Sequence, residues 1–147
     1  MTPSMRIGRW LSAWSDDLLL LLARVFPAAI FWQSGQTKVD GWQLSESAVY
    51  LFQEEYRLPL LDPLLAAQLA AFAEHVFPAL LLLGLLSRLS ALALLAMTLV
   101  IQTFVYPDAW PTHGVWAVSL LWVFAKGGGR WSVDALFSRR APGGSKA

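Results

Sequence analysis

The residues able to do chemistry are few and sit in apolar surroundings. Glu74 and His75 stand side by side within the run Leu64 to Leu86, and Arg24 interrupts a second greasy run, Leu18 to Trp32. An ionisable group at the centre of a bilayer costs on the order of 3 kcal/mol or more unless paired or neutral. Arg24 and Glu74 therefore form the candidate buried ion pair. At 1.5 Å per residue, Arg24 lies roughly 11 Å from the inner end of its run and Glu74 roughly 15 Å from the outer end of its own. In a hydrocarbon core of roughly 30 Å those depths differ by only about 4 Å. Such a pair either fixes helix register or, through Glu74, helps move protons.

A second polar group gathers beyond the first run. Lys38 follows Gln33 and Gln36, Gln102 closes a third apolar run, and His113 opens a fourth, among Trp32, Phe104, Tyr106, Trp110 and Trp116. An aromatic-lined space with a few convergent polar groups suits a small amphipathic molecule such as a quinone head group. Lys38, Gln102, His113 and Trp32 are the candidate ligand-binding residues. The competing reading is an aromatic belt with ordinary interfacial polarity. His75 and His113 are expected roughly 15 Å apart along the membrane normal, too far for both to bind one haem iron. The chain has no cysteine, which removes iron–sulfur clusters and disulfide relays. No metal-ligand spacing is present, so no metal site is expected.

Four spans position these residues. The chain of 147 residues is 56% hydrophobic and 14% charged, with mean hydropathy +0.51, the composition of an integral membrane protein. Apolar stretches cover about 17–35, 64–86, 89–105 and 112–126. The expected fold is all-α: a single membrane domain over 1–147, built as a four-helix bundle. Asp16, Asp17 and Arg24 argue against a cleaved signal peptide in the first stretch. One side collects Arg6, Arg9, Arg88, Lys126, Arg130, Arg139, Arg140 and Lys146, and the other only Lys38 and Arg57. The positive-inside rule then makes both termini cytoplasmic. The first outer loop carries an amphipathic stretch, Ala48 to Tyr56, expected as a short helix lying on the outer surface. Ser132 caps a short helix over Val133 to Phe137, and the tail 139–147 is expected to be disordered. A net charge of +1 with no basic stripe gives no reason to expect nucleic acid; the bilayer, and a protein partner or second copy, are the expected partners.

Three segments carry a resemblance. They are LARVFPAAIFWQSGQTKV, RLPLLDPLLAAQLAAFAEHVFPALLLLGLLSRLSAL and the closing GGGRWSVDALF. Through them the chain resembles the DoxX family of small four-helix membrane proteins from about Leu18 to Phe137. The resemblance implies a multi-pass protein of the bacterial cytoplasmic (inner) membrane associated with redox processes. Relatives include the membrane part of thiosulfate:quinone oxidoreductase and a component that assembles with superoxide dismutase and a sulfurtransferase-like partner. The stretch FVYPDAWPTHGVW is closer to a branch associated with copper stress. The positions matching the family are Arg24, Ser34, Gly35, Lys38, Glu74, Gly84, Arg88 and Asp134.

Two functional classes follow. One is the membrane subunit of a quinone-linked redox system, with Lys38, Gln102 and His113 polarising the quinone and Glu74 moving protons. The other is a non-enzymatic anchor or assembly factor for a metal-handling or oxidative-stress partner. A transporter would need a repeated half and broken helices, which the chain lacks.

Overall fold

The computed structural model describes the backbone of residues 3–140 and the side chains of residues 16–138. Helix α1, Pro3–Gln36, is the longest and passes straight through Asp16 and Asp17. Helices α3, Pro63–Leu83, and α4, Ser87–Val100, follow, and α4 continues through a π-helical segment, Ile101–Val105. A single 3-10 turn, Pro107–Ala109, leads into α5, Trp110–Lys126. The helices close a ring in which α1 packs on α3, α3 on α4, α4 on α5, and α5 back on α1. Among the described residues, three stretches are long and apolar enough to cross a membrane: Asp16–Gln36, Pro63–Leu83 and Ser87–Val105. Helix α5, at 17 residues, reaches about 26 Å at 1.5 Å per residue.

The ring is filled by small residues and Leu. Ala28, Phe31, Leu81, Ala91, Leu94, Leu120 and Val123 form the buried core. Along α1 the stripe Arg24, Ala28, Phe31, Gly35 is buried, and α3 answers with Ala67, Ala71, Glu74 and Pro78. The alanines and Gly35 on these stripes let the two backbones approach closely. The contact sets their stagger. A Cβ on Gly35 would lie 2.9 Å from His75 Cε1 and 3.1 Å from Glu74 Cβ, so Gly35 faces this pair. Helix α3 therefore runs about eleven residues, roughly 16 Å, past the end of α1.

The loop between them covers that overhang. A hairpin pairs β1, Val39–Asp40, with β2, Gln43–Leu44, and Gly41 takes φ 62° at its tip, where a two-residue turn needs positive φ. Ser45 then caps α2, Glu46–Tyr50, by accepting from Ala48 N–H, and the chain continues as a π-helical segment, Leu51–Tyr56. The expected amphipathic helix exists, but its apolar side is on protein: Phe52 packs on Ala66 and Ala67, with Leu44, Tyr56, Leu58 and Ala70 around them. The small-residue face of α3 beyond Gly35 has no α1 to cover it, and this segment takes that place.

At the other end α6, Val133–Arg140, returns to the bundle. The helix includes Arg139 and Arg140, which the sequence assigns to a disordered tail; the rest of that tail, 141–147, lies outside the described residues. The covering loop thus closes one end of the ring, the loop end, and α6 with the segment before it closes the other, the tail end.

Candidate functional site

The charges within the bundle separate into two clusters. Arg24 is fully buried and belongs to the tail end, where its Nη2 donates to Trp131 O at 2.6 Å. Gly84 makes room for it: φ is +71°, and an added Cβ would collide with Arg24 Nη1 and Ser132. Asp134 reaches back from α6 and accepts from Leu86 N–H and Ser87 N–H at 2.8 Å each, while its own N–H donates to Gly84 O at 2.9 Å. Asp134 thus caps α4 from another helix, satisfying two N–H groups that a helix start leaves open. Leu86, held at φ 51°, is in a conformation that costs a non-glycine residue about 1–2 kcal/mol. Partial burial raises the Asp134 carboxyl, but the hydrogen bonds from Ser87 and Leu86 and the Arg24 charge outweigh it and hold the group below its ordinary 3.8. Asp17 completes the cluster, accepting from Arg130 N–H at 3.0 Å and facing its guanidinium at 3.6 Å.

The loop end holds a cavity of about 160 Å3 between α1, α3, α4, α5 and the covering loop. Lys38 and Glu74 line one part of it, with Lys38 Nζ 2.7 Å from Glu74 Oε2 and both side chains largely buried. Ser34 sits with them: Lys38 Nζ donates to its hydroxyl at 3.1 Å and its carbonyl at 3.3 Å. Tyr56 and Tyr106, each at the end of a π-helical segment, line the cavity with hydroxyls 3.3 Å apart. Burial first, then the Tyr106 hydroxyl and nearby carboxylates, raise the Tyr56 hydroxyl above its ordinary 10.0. Phe31, Met97 and Trp116 supply apolar wall.

His113 lines the cavity as well, and its proton can be placed. Gln102 Nε2 donates to Pro107 O at 2.6 Å, which leaves Gln102 Oε1 as an acceptor, 2.7 Å from His113 Nδ1. His113 Nδ1 therefore carries the hydrogen, and a neutral ring keeps its lone pair on Nε2. No described residue hydrogen-bonds Nε2. His75 differs. Its Nδ1 donates to Ala71 O at 2.6 Å and its Nε2 faces the Gln36 amide at 3.0 Å, so both nitrogens are engaged.

The placement corrects two readings of the sequence. Arg24 and Glu74 are not partners: Gly35, not Arg24, faces Glu74, and Arg24 lies about eleven residues, roughly 16 Å, farther down α1. Counting from the ends of the apolar runs puts the two residues within about 4 Å in depth, whereas the α3 overhang shifts the two helices past each other. Trp32 is also elsewhere. It packs edge-on against His75, ring centroids 5.1 Å apart, on the outer face of α1 and α3, in a shallow groove that shares no residue with the cavity. Lys38 and His113 do meet in the cavity, and Gln102 supports it through His113. Tyr56 joins them unforeseen, since a covering loop that ends in a π-helical segment leaves little trace in hydrophobic periodicity.

The family model described as DoxX matches residues 19–107, more than half of the chain. The chain belongs to the DoxX family. No match was found among curated proteins or among solved structures. Within this DoxX chain the matched stretch includes Arg24, Lys38, Tyr56, Glu74 and Gly84, while His113 and Asp134 lie beyond it.

Proposed function

We propose that this DoxX chain is a four-span protein of the bacterial cytoplasmic membrane, termini inside, acting as the quinone-binding membrane subunit of a redox system. The distribution of Arg and Lys supports the orientation, placing the tail end inside and the loop end outside. The observation that carries the reading is the loop-end cavity, which the Lys38 ammonium, paired with Glu74 at 2.7 Å, and His113 both line.

The donor set fits a quinone ring. The three Lys38 N–H groups are turned to Glu74 and Ser34, and exchanging the longest of these contacts, 3.3 Å to Ser34 O, would let Lys38 donate to a carbonyl oxygen while Glu74 balances its charge. His113 Nε2 accepts from a ring hydroxyl, and after a proton arrives there it becomes a donor. Phe31 and Trp116, edge to face at 5.6 Å, give an aromatic wall, and Tyr56 with Tyr106 closes the outer side. At about 160 Å3 the cavity is below the roughly 300–1,000 Å3 of sites for drug-sized ligands, which suits a single ring. When bound, a quinone supplies two-electron, two-proton redox chemistry; a chain without cysteine leaves the electrons to be brought by a partner.

The test is quinone content. Protein extracted with native lipid should carry quinone by mass spectrometry, and His113→Ala or Lys38→Met should reduce it at least about tenfold, with His75→Ala unchanged. Equal content in all four proteins would sink the proposal. The alternative, an anchor for a metal-handling or oxidative-stress partner, is favoured by the loop tips, where Trp42 and Leu60 are fully exposed. Loss of a defined partner on Trp42→Ser or Leu60→Ser, at unchanged quinone content, would select it.

A further inference from the structure

His113 belongs to two spaces. Besides the cavity it lines a groove of about 600 Å3 on the outside of α4 and α5, formed mainly by Leu92, Leu95, Ala96, Leu99, Gly114 and Ala117. The groove offers almost nothing polar. Thr98, also in its wall, spends its hydroxyl on Leu94 O at 2.8 Å, and the Gln102 amide is engaged at both ends by Pro107 and His113. What lies in it must be hydrocarbon.

Any groove on a membrane bundle can take a lipid chain, so the position decides. The groove between α1 and α3 and the one between α1 and α5 share no residue with the cavity. The α4–α5 groove shares His113, the residue whose remaining nitrogen the ring would engage. Its depth comes from Gly114, where an added Cβ would meet nothing within 4 Å. The cavity, meanwhile, has room for a ring but not for a long chain attached to it.

We infer that the α4–α5 groove seats the polyprenyl chain of the molecule whose ring occupies the cavity, and that the ring enters sideways from the bilayer past His113. This rests on the quinone reading above. Because lipid chains are as apolar as the groove, seating the chain there gains little hydrophobic energy. The groove acts through access and orientation, so filling it should obstruct long-chain ligands and spare those without a chain.

The experiment compares two probes in nanodiscs, a dimethoxybenzoquinone bearing a long polyprenyl chain and its chain-free counterpart, with bound quinone read by mass spectrometry and by quenching of tryptophan fluorescence. Gly114→Leu places its side chain in open space, and Ala96→Phe fills the groove from α4. Each should weaken the long-chain probe at least about tenfold while the chain-free probe stays within about twofold. Ala29→Phe, in the α1–α3 groove, should change neither. Undiminished long-chain binding in both groove variants overturns the inference and leaves the ring site standing. Failure of the unmodified protein to bind either probe overturns the quinone reading instead.

Discussion

Lys38 Nζ meets Glu74 Oε2 at 2.7 Å just beyond the last turn of α1, so the deep carboxylate of α3 is answered by the residue that leaves the first helix and not by the arginine within it. Removing one partner of a buried pair leaves the other uncompensated, at a cost of about 3–5 kcal/mol, whereas apolar replacement of both is often neutral. Glu74→Leu and Lys38→Met should each destabilise, and the double variant should recover most of the loss. A double-mutant cycle by denaturant titration in mild detergent checks this. Coupling of Glu74 to Arg24 of the same size would contradict the geometry.

Gly35 is what allows that meeting. A methyl group there would stand 2.9 Å from the His75 ring and 3.1 Å from Glu74 Cβ; the ring can swing, but Glu74 Cβ is fixed to α3. Gly35→Ala should therefore cost about 1–3 kcal/mol, the range for overpacking a tight contact. Thermal unfolding in detergent should show the loss, with Gly114→Ala, which meets open space, as the neutral comparison.

These two residues show what the sequence makes legible. Hydrophobic runs locate the helices, and small residues at helical spacing locate the buried stripes, with Gly35 on one and Glu74 on the other. The relative height of the stripes is not in the periodicity, because sliding one helix by three turns restores the same faces. It is set by what else covers α3, and the covering piece is announced only weakly, by Asp40-Gly41, a hairpin turn signal, and by Ser45 as a cap. The sequence does single out His113 over His75 as a ligand candidate, but not the hydrogen bonds to Ala71 O, Gln36 and Gln102 that fix the two rings.

Asp134 gives the tail end an acid-sensitive clasp. Despite burial, the hydrogen bonds from Ser87 and Leu86 and the charge of Arg24 hold its carboxyl below the ordinary 3.8 in the folded protein. The folded state thus favours the carboxylate, and the resulting stability is fully present above the unfolded value and is lost as pH falls through the folded one. The window lies below about pH 4. Asp134→Ala, which removes a cap, should cost about 0.5–2 kcal/mol near neutral pH. Unfolding curves of the two proteins should converge as the pH is taken below about 4; a gap that stays constant across that window would count against the clasp.

The Gln102–His113 hydrogen bond should fix a tautomer that can be read directly. With Gln102 Oε1 as acceptor at 2.7 Å, the hydrogen of His113 sits on Nδ1, and a basic Nε2 is left for a ligand. Gln102→Leu removes the acceptor while leaving Nδ1–H buried, so the ring loses its reason to hold that tautomer, at a stability cost of about 1–3 kcal/mol. Nitrogen-15 NMR of the histidine rings at pH 8 should show Nδ1–H for both histidines in the unmodified protein. In Gln102→Leu only His113 should shift toward Nε2–H, because His75 is held separately by Ala71 O at 2.6 Å. Binding of the reduced quinol should fall with that shift, since Nε2–H can no longer accept from a ring hydroxyl. A shift without any fall would separate the tautomer from ligand binding and leave Lys38 as the residue that holds the ring.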